Sequence, residues 1–113
     1  MKLRYTPAAL ADVEEAAAYI IENFASPDAA ARMKANVLKC CAALKEQPFL
    51  GPSCNALGGP DSQLRYLVCG RHIAFYEVDE QTVSVYRILD SCQDYLRIIF
   101  PDATTAAPSP DQA

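Results

Sequence analysis

Histidine is nearly missing from this chain: of 113 residues only His72 is one. A zinc centre would have to be built from cysteine, and the five cysteines are poorly spaced for it. There is no C-x-x-C pair, and Cys40 and Cys41 are neighbours in a helical pattern, where successive side chains diverge by about 100°. No metal and no cofactor are expected. An odd cysteine count also disfavours an exported disulfide framework. Cys40, Cys41, Cys54, Cys69 and Cys92 are expected to be buried thiols packing as small hydrophobes. No apolar run approaches the ~20 residues of a membrane helix, and the opening residues hold no hydrophobic stretch of signal-peptide length. A cytoplasmic protein without membrane association is the expectation. Basic excess is missing too: ten Lys and Arg against fourteen Asp and Glu give a net charge of −4. Such a field repels a polyanion, which disfavours direct nucleic-acid binding and, with it, a nuclease.

What is present suits one small folded domain. Hydrophobic residues make up 51% and charged residues 21%, and a chain this short commits most of its apolar residues to a single core. Residues 2–5 alternate as a half-buried strand, with Leu3 and Tyr5 on one side. Thr6-Pro7 then reads as a helix start, Thr as cap and Pro in the first turn. Leu10, Val13, Ala17, Ile20 and Phe24 follow at helical spacing. Ser26-Pro27-Asp28 repeats the start signal, and Ala30, Met33, Val37, Cys40 and Leu44 form a second stripe. Pro48 is expected to end that helix.

The short link between the two helices predicts an antiparallel hairpin. Residues 49–62 lose all periodicity among Gly and Pro. Strands are predicted over 63–69, 71–78 and 82–89, joined closely enough for an antiparallel meander. Residues 90–100 hold a short helix or edge strand anchored by Tyr95, Ile98, Ile99 and Phe100. The first strand must join the sheet to satisfy its backbone. The fold class is α+β: an N-terminal strand and a two-helix hairpin packed on a small antiparallel sheet. Residues 1–100 form the domain, and the Ala/Thr/Pro-rich tail 101–113 is expected to be disordered.

Two segments carry a resemblance. Gly70-Arg71-His72-Ile73-Ala74-Phe75-Tyr76-Glu77-Val78, a turn, and Val83-Ser84-Val85-Tyr86-Arg87-Ile88-Leu89-Asp90 resemble the paired strands of the ParE/RelE toxin superfamily. The opening Tyr5-Thr6-Pro7-Ala8-Ala9-Leu10-Ala11-Asp12 and the Leu44…Pro48…Gly51 passage are similar to it as well. The closing Asp94-Tyr95 and Phe100 match its ParE branch. The resemblance spans residues 1–100 and rests on the order and spacing of segments rather than on one motif. It implies the RelE/ParE-like fold and the toxin half of a bacterial type II toxin–antitoxin pair, of the kind linked to plasmid stabilisation. It also implies a hetero-oligomer with a ParD-like, ribbon-helix-helix antitoxin.

The family divides by target. RelE-like members cut mRNA on the ribosome, whereas ParE-like members poison DNA gyrase and break no bond themselves. Where RelE-like enzymes carry a mid-strand arginine, an arginine after the last strand and a late Tyr or His, this chain holds Ile73, Ser91 and Arg97. Metal-free RNA cleavage needs a base near the 2′-OH and a cation at the phosphate. By this comparison no catalytic residue is expected, and gyrase inhibition is favoured. The rivals are a ribosome-dependent mRNA endonuclease and a degenerate member that keeps only antitoxin binding.

Arg65, Arg71 and Arg87 fall on successive strands and would form a basic ladder gripping the target or an acidic antitoxin tail. Alternatively each pairs locally with Glu77, Asp90 or Asp94, as surface charges usually do. Tyr76, Asp90, Asp94 and Tyr95 complete the candidates for target or antitoxin contact. Tyr66, Tyr76 and Tyr86 also suit packing on central strands. Asp90 stands where ParE-like proteins commonly place a histidine after Arg-Ile-Leu, which removes His-based chemistry there. His72 reads as a structural or surface residue. The antitoxin is expected on the outer side of the hairpin and an open sheet edge, by helix docking and strand addition.

Overall fold

The computed structural model describes residues 1–57 and 62–100. The turn-rich residues 58–61 and the tail 101–113 lie outside the described residues. The chain begins with β1 (Lys2–Tyr5), then α1 (Pro7–Phe24) and α2 (Pro27–Ala42). Thr6 Oγ1 accepts the Ala9 N–H at 3.1 Å and Ser26 Oγ accepts the Ala29 N–H at 3.1 Å, so both helices start at the expected caps. Between them Ala25 takes a left-handed conformation, φ 50°, that closes α1 by donating its N–H to the Ile21 carbonyl. Lys34 Nζ reaches Glu14 at 2.8 Å across the hairpin. The second helix tightens into a 3-10 turn at Ala43–Lys45, stopping before Pro48 rather than at it.

Three strands follow: β2 (Arg65–Cys69), β3 (His72–Val78) and β4 (Thr82–Asp90), then the short α3 (Tyr95–Ile99). The order across the sheet is β1-β4-β3-β2. β2, β3 and β4 form the predicted antiparallel meander. β1 adds to β4 in parallel, so the four-stranded sheet is mixed rather than wholly antiparallel. The helices and two strands that intervene give the long connection a parallel pair requires. The β2–β3 turn uses Gly70 at φ +65°, a conformation open to glycine without strain.

The sheet is the middle layer. On one face Ala9, Val13, Val37, Cys41 and Leu44 pack with Ala74, Tyr76, Val83, Val85 and Ile88. On the other, Ile73, Phe75, Leu89, Leu64 and Cys54 are buried, with Tyr95, Ile99 and Phe100 laid over them. β2, β3 and β4 feed both clusters by alternation, while β1 gives Leu3 and Tyr5 to the hairpin side alone. Several expected core positions turn outward. Ala9 takes the place foreseen for Leu10, which is exposed, and Phe24, Ile98 and Tyr86 are exposed as well. Cys92 is exposed and Cys40 half-buried, so only Cys41, Cys54 and Cys69 are buried thiols.

β1 covers only Thr82–Val85 of β4, leaving the rest of that edge bare. The start of α1 closes it. The Thr6 N–H bonds the Val85 carbonyl at 3.0 Å, and Thr6 Oγ1 donates to the Tyr86 carbonyl at 2.8 Å. Tyr86 is the extra residue of a bulge, because Val85 faces Tyr76 while Arg87 faces Phe75. One helical stretch on, Asp12 accepts the Ile88 N–H at 2.9 Å. A helix thus does the capping work of a missing strand.

Candidate functional site

α1 is anchored to β4 at Thr6 and Asp12, but eighteen residues rise about 27 Å along the axis. β4 ends at Asp90, two residues beyond the Asp12 contact. The far turns of the hairpin therefore overhang the sheet. Under the overhang opens a groove of about 1030 Å³, bounded by α1, α2, the β2–β3 turn and the end of β4. Its apolar wall contains Tyr19, Ile20, Phe24, Met33, Val37 and Val68. Phe24 is 67% exposed, Tyr19 60% and Val68 58%, a large apolar display for so small a chain. Tyr19 and Phe24 pack edge to face with centroids 6.4 Å apart. The rim is charged: Asp12 and Glu15 on the helix, Arg71, His72, Arg87 and Asp90 at the sheet end.

Arg87 sits at the centre of that rim. Its Nε and Nη2 donate to the two oxygens of Asp12 at 2.7 and 2.8 Å, a bidentate pair that raises the guanidinium further and fixes its plane. Of the two readings for Arg87, local pairing is what the structure shows, with a partner other than Glu77, Asp90 or Asp94. Arg71 extends into solvent, 3.8 Å from Asp90 and 4.0 Å from the Cys92 sulfur. Asp90 is held below the usual carboxylate range chiefly by the Cys92 N–H at 2.8 Å, then by Arg71 and His72. His72 pairs with Asp90 across the strands, and burial pushes its pKa down while Asp90 opposes and Arg71 adds to the shift.

The other candidates lie elsewhere. Arg65 donates through Nε to the Gly51 carbonyl at 2.7 Å and stacks over Phe49 at 5.1 Å. It pins a loop, and no basic ladder links it to Arg71 and Arg87. Tyr76 has no exposed surface; its hydroxyl accepts the Gly51 N–H at 2.9 Å inside the core. Tyr95 leans on Phe75 on the opposite face, centroids 5.9 Å apart. Asp94 is exposed and pairs with Arg97 at 3.3 Å. Of the seven candidates the structure gathers Arg71, Arg87 and Asp90 at one site. It adds Asp12, Tyr19, Phe24, Met33 and Val68. Tyr19 and Phe24 had a sequence signal, since two aromatics close an amphipathic helix that then has nothing left to cover.

Ile73 is buried in the apolar cluster on the far face of the sheet. Among the described residues no group of three or more His, Cys, Asp or Glu could hold a metal. The groove lies between hairpin and sheet, and a smaller hollow of about 300 Å³ lies between the helices near Ile21 and Lys34. β2 is the sheet's other edge strand, and Val68 brings its last residues to the groove.

This α+β arrangement, a helical hairpin on a four-stranded mixed sheet, is shared with a solved toxin–antitoxin structure. A chain of the "Chromosomal ParDE TA system from P. aeruginosa" superposes with a TM-score of 0.66 at 18% identity, over 80% of this chain and 95% of that one. No curated protein sequence matches. The family model described as "ParE toxin of type II toxin-antitoxin system, parDE" matches residues 3–95. The chain belongs to the ParE toxin family of type II toxin–antitoxin systems.

Proposed function

We propose that this toxin inhibits DNA gyrase without catalysing a reaction of its own, and that a ParD-like antitoxin restrains it in a hetero-oligomer by laying an amphipathic helix in the groove. The groove is the observation that carries the antitoxin half. Tyr19, Phe24 and Val68 display apolar surface beside a rim of both charge signs, which fits a helix with one apolar face and mixed flanks. The open end of β2 alongside offers an edge for an extended segment of the same partner. No helix among the described residues is long and apolar enough to cross a membrane, and a cytoplasmic site of action suits both partners. The gyrase half rests on the family and on the side chains at the RelE-type positions. Ile73 is buried, Ser91 is neutral, and Arg97 is engaged with Asp94. The net charge of −4 also favours a protein target over RNA. Purified toxin titrated into a gyrase supercoiling reaction tests this: supercoiling should be lost in proportion to toxin, and unimpaired supercoiling at saturating toxin sinks the proposal. Position-specific cuts in translated message, seen by toeprinting, would transfer the target to the ribosome.

A further inference from the structure

Three thiols meet where α2 crosses the end of β2. Cys40 Sγ lies 3.7 Å from the Val68 carbonyl, beside Cys69, and the Cys69 thiol is in hydrogen-bonding contact with both Cys40 and Cys41. Tyr5 hydrogen-bonds Cys41 from below. All four side chains pack in the cluster between hairpin and sheet. Cys41 is fully enclosed, Cys69 is buried in the groove wall, and Cys40, half-buried, is the most open of the three to a small reagent. We propose that Cys40 and Cys69 form a reversible disulfide, stapling α2 to β2 in the wall of the groove, when the protein meets a low-molecular-weight disulfide such as oxidised glutathione. The proposal does not depend on what the groove binds.

The chemistry balances as two exchanges. The Cys40 thiolate attacks one sulfur of oxidised glutathione; a Cys40–glutathione bond forms, the glutathione disulfide breaks and one glutathione thiolate leaves. Cys69 then attacks Cys40 Sγ, forming the protein disulfide and expelling the second glutathione. Two protein thiols are oxidised and one glutathione disulfide is reduced, the two protons ending on the released glutathione. Hydrogen bonds from Cys69 first, and then from Tyr5, hold the Cys41 thiol below the usual range despite burial, while the same contact with Cys41 and burial push the Cys69 thiol up. Cys54 is on the opposite face of the sheet, and Cys92, though exposed near the groove, contacts Arg71 rather than a thiol. Cys92 should stop at a mixed disulfide. Disulfides in reducing compartments are typically transient and regulatory, which suits a staple that reductant removes.

The test is native full-length protein incubated with oxidised glutathione, alkylated, digested with trypsin and analysed by mass spectrometry. Cleavage after Lys39, Lys45, Arg65 and Arg71 isolates peptides 40–45 and 66–71. The expected product is these two joined, released by dithiothreitol, with a raised thermal midpoint before release. Cys92→Ser should leave the linked peptide unchanged, and Cys40→Ser should abolish it. Glutathione found only on Cys92, no linked peptide in the wild type, or a linked peptide surviving in Cys40→Ser would each overturn the proposal.

Discussion

Removing the Asp12 carboxylate should unfasten α1 from the uncovered end of β4. That group accepts three hydrogen bonds, from Arg87 Nε at 2.7 Å, Arg87 Nη2 at 2.8 Å and the Ile88 N–H at 2.9 Å. Its side chain is 8% exposed and that of Arg87 33%. In Asp12→Ala the Ile88 N–H faces an apolar surface with no acceptor, at a cost of about 1–3 kcal/mol. Arg87 loses its fork but, being a third exposed, swings into water, so its share is about 1 kcal/mol rather than the ~3–5 of an orphaned buried charge. The sum, about 2–4 kcal/mol, is a large part of the ~5–15 kcal/mol that holds a domain folded. Asp12→Asn keeps an acceptor for Ile88 and should lose only about half as much. Urea unfolding followed by circular dichroism, with the double variant Asp12→Ala/Arg87→Ala to isolate the pair, measures each share. A loss below about 0.5 kcal/mol in Asp12→Ala, or equal losses in Ala and Asn, would refute the idea that this carboxylate stands in for a missing strand.

Gly51→Ala should destabilise by about 1–3 kcal/mol in the same assay, because its Cβ would fall 1.9 Å from the Tyr66 carbonyl oxygen and the loop would have to move. Tyr76→Phe leaves the Gly51 N–H buried without the hydroxyl and should cost about 1–3 kcal/mol. Ala25→Gly should raise stability by about 0.5–1 kcal/mol, since φ 50° strains any residue with a Cβ; an unchanged or lower thermal midpoint contradicts this. The folded-state pKa of His72 lies below its ordinary 6.5, so the unfolded chain takes up the proton first. Its stabilising contribution is complete above pH 6.5 and is lost as pH falls through the folded value, and His72→Gln should flatten that decline. A wild-type slope unchanged by the substitution would assign the acid sensitivity elsewhere.

Local signals in the chain reported local structure faithfully. Thr6 and Ser26 cap because a hydroxyl before Pro and an apolar stripe has few other uses, and Gly70 turns because only glycine enters φ +65° freely. Periodicity could not say how far the sheet reaches beneath a helix. Phe24 keeps its place in the stripe yet is exposed, because the last turns of α1 pass beyond the end of β4. For the same reason periodicity gave no sign of the groove that opens between hairpin and sheet. The Arg87 partner was also hidden, since Asp12 is 75 residues distant in sequence and becomes a neighbour only through the parallel addition of β1 to β4. Tyr76, a contact candidate that also suited packing, is committed to packing by the loop at Gly51 that folds over its hydroxyl.

The groove is the centre of this account, and titration calorimetry with the proposed ParD-like antitoxin tests it most directly. Tyr19→Glu/Phe24→Glu places two charges on the exposed wall while touching no buried contact of the sheet, so the fold should persist by circular dichroism. Aromatic anchors at the centre of an interface each carry about 2 kcal/mol or more. Affinity should therefore fall by roughly a hundredfold or more relative to the wild type. Equal affinities for the two proteins would contradict the assignment of the groove as the antitoxin's seat.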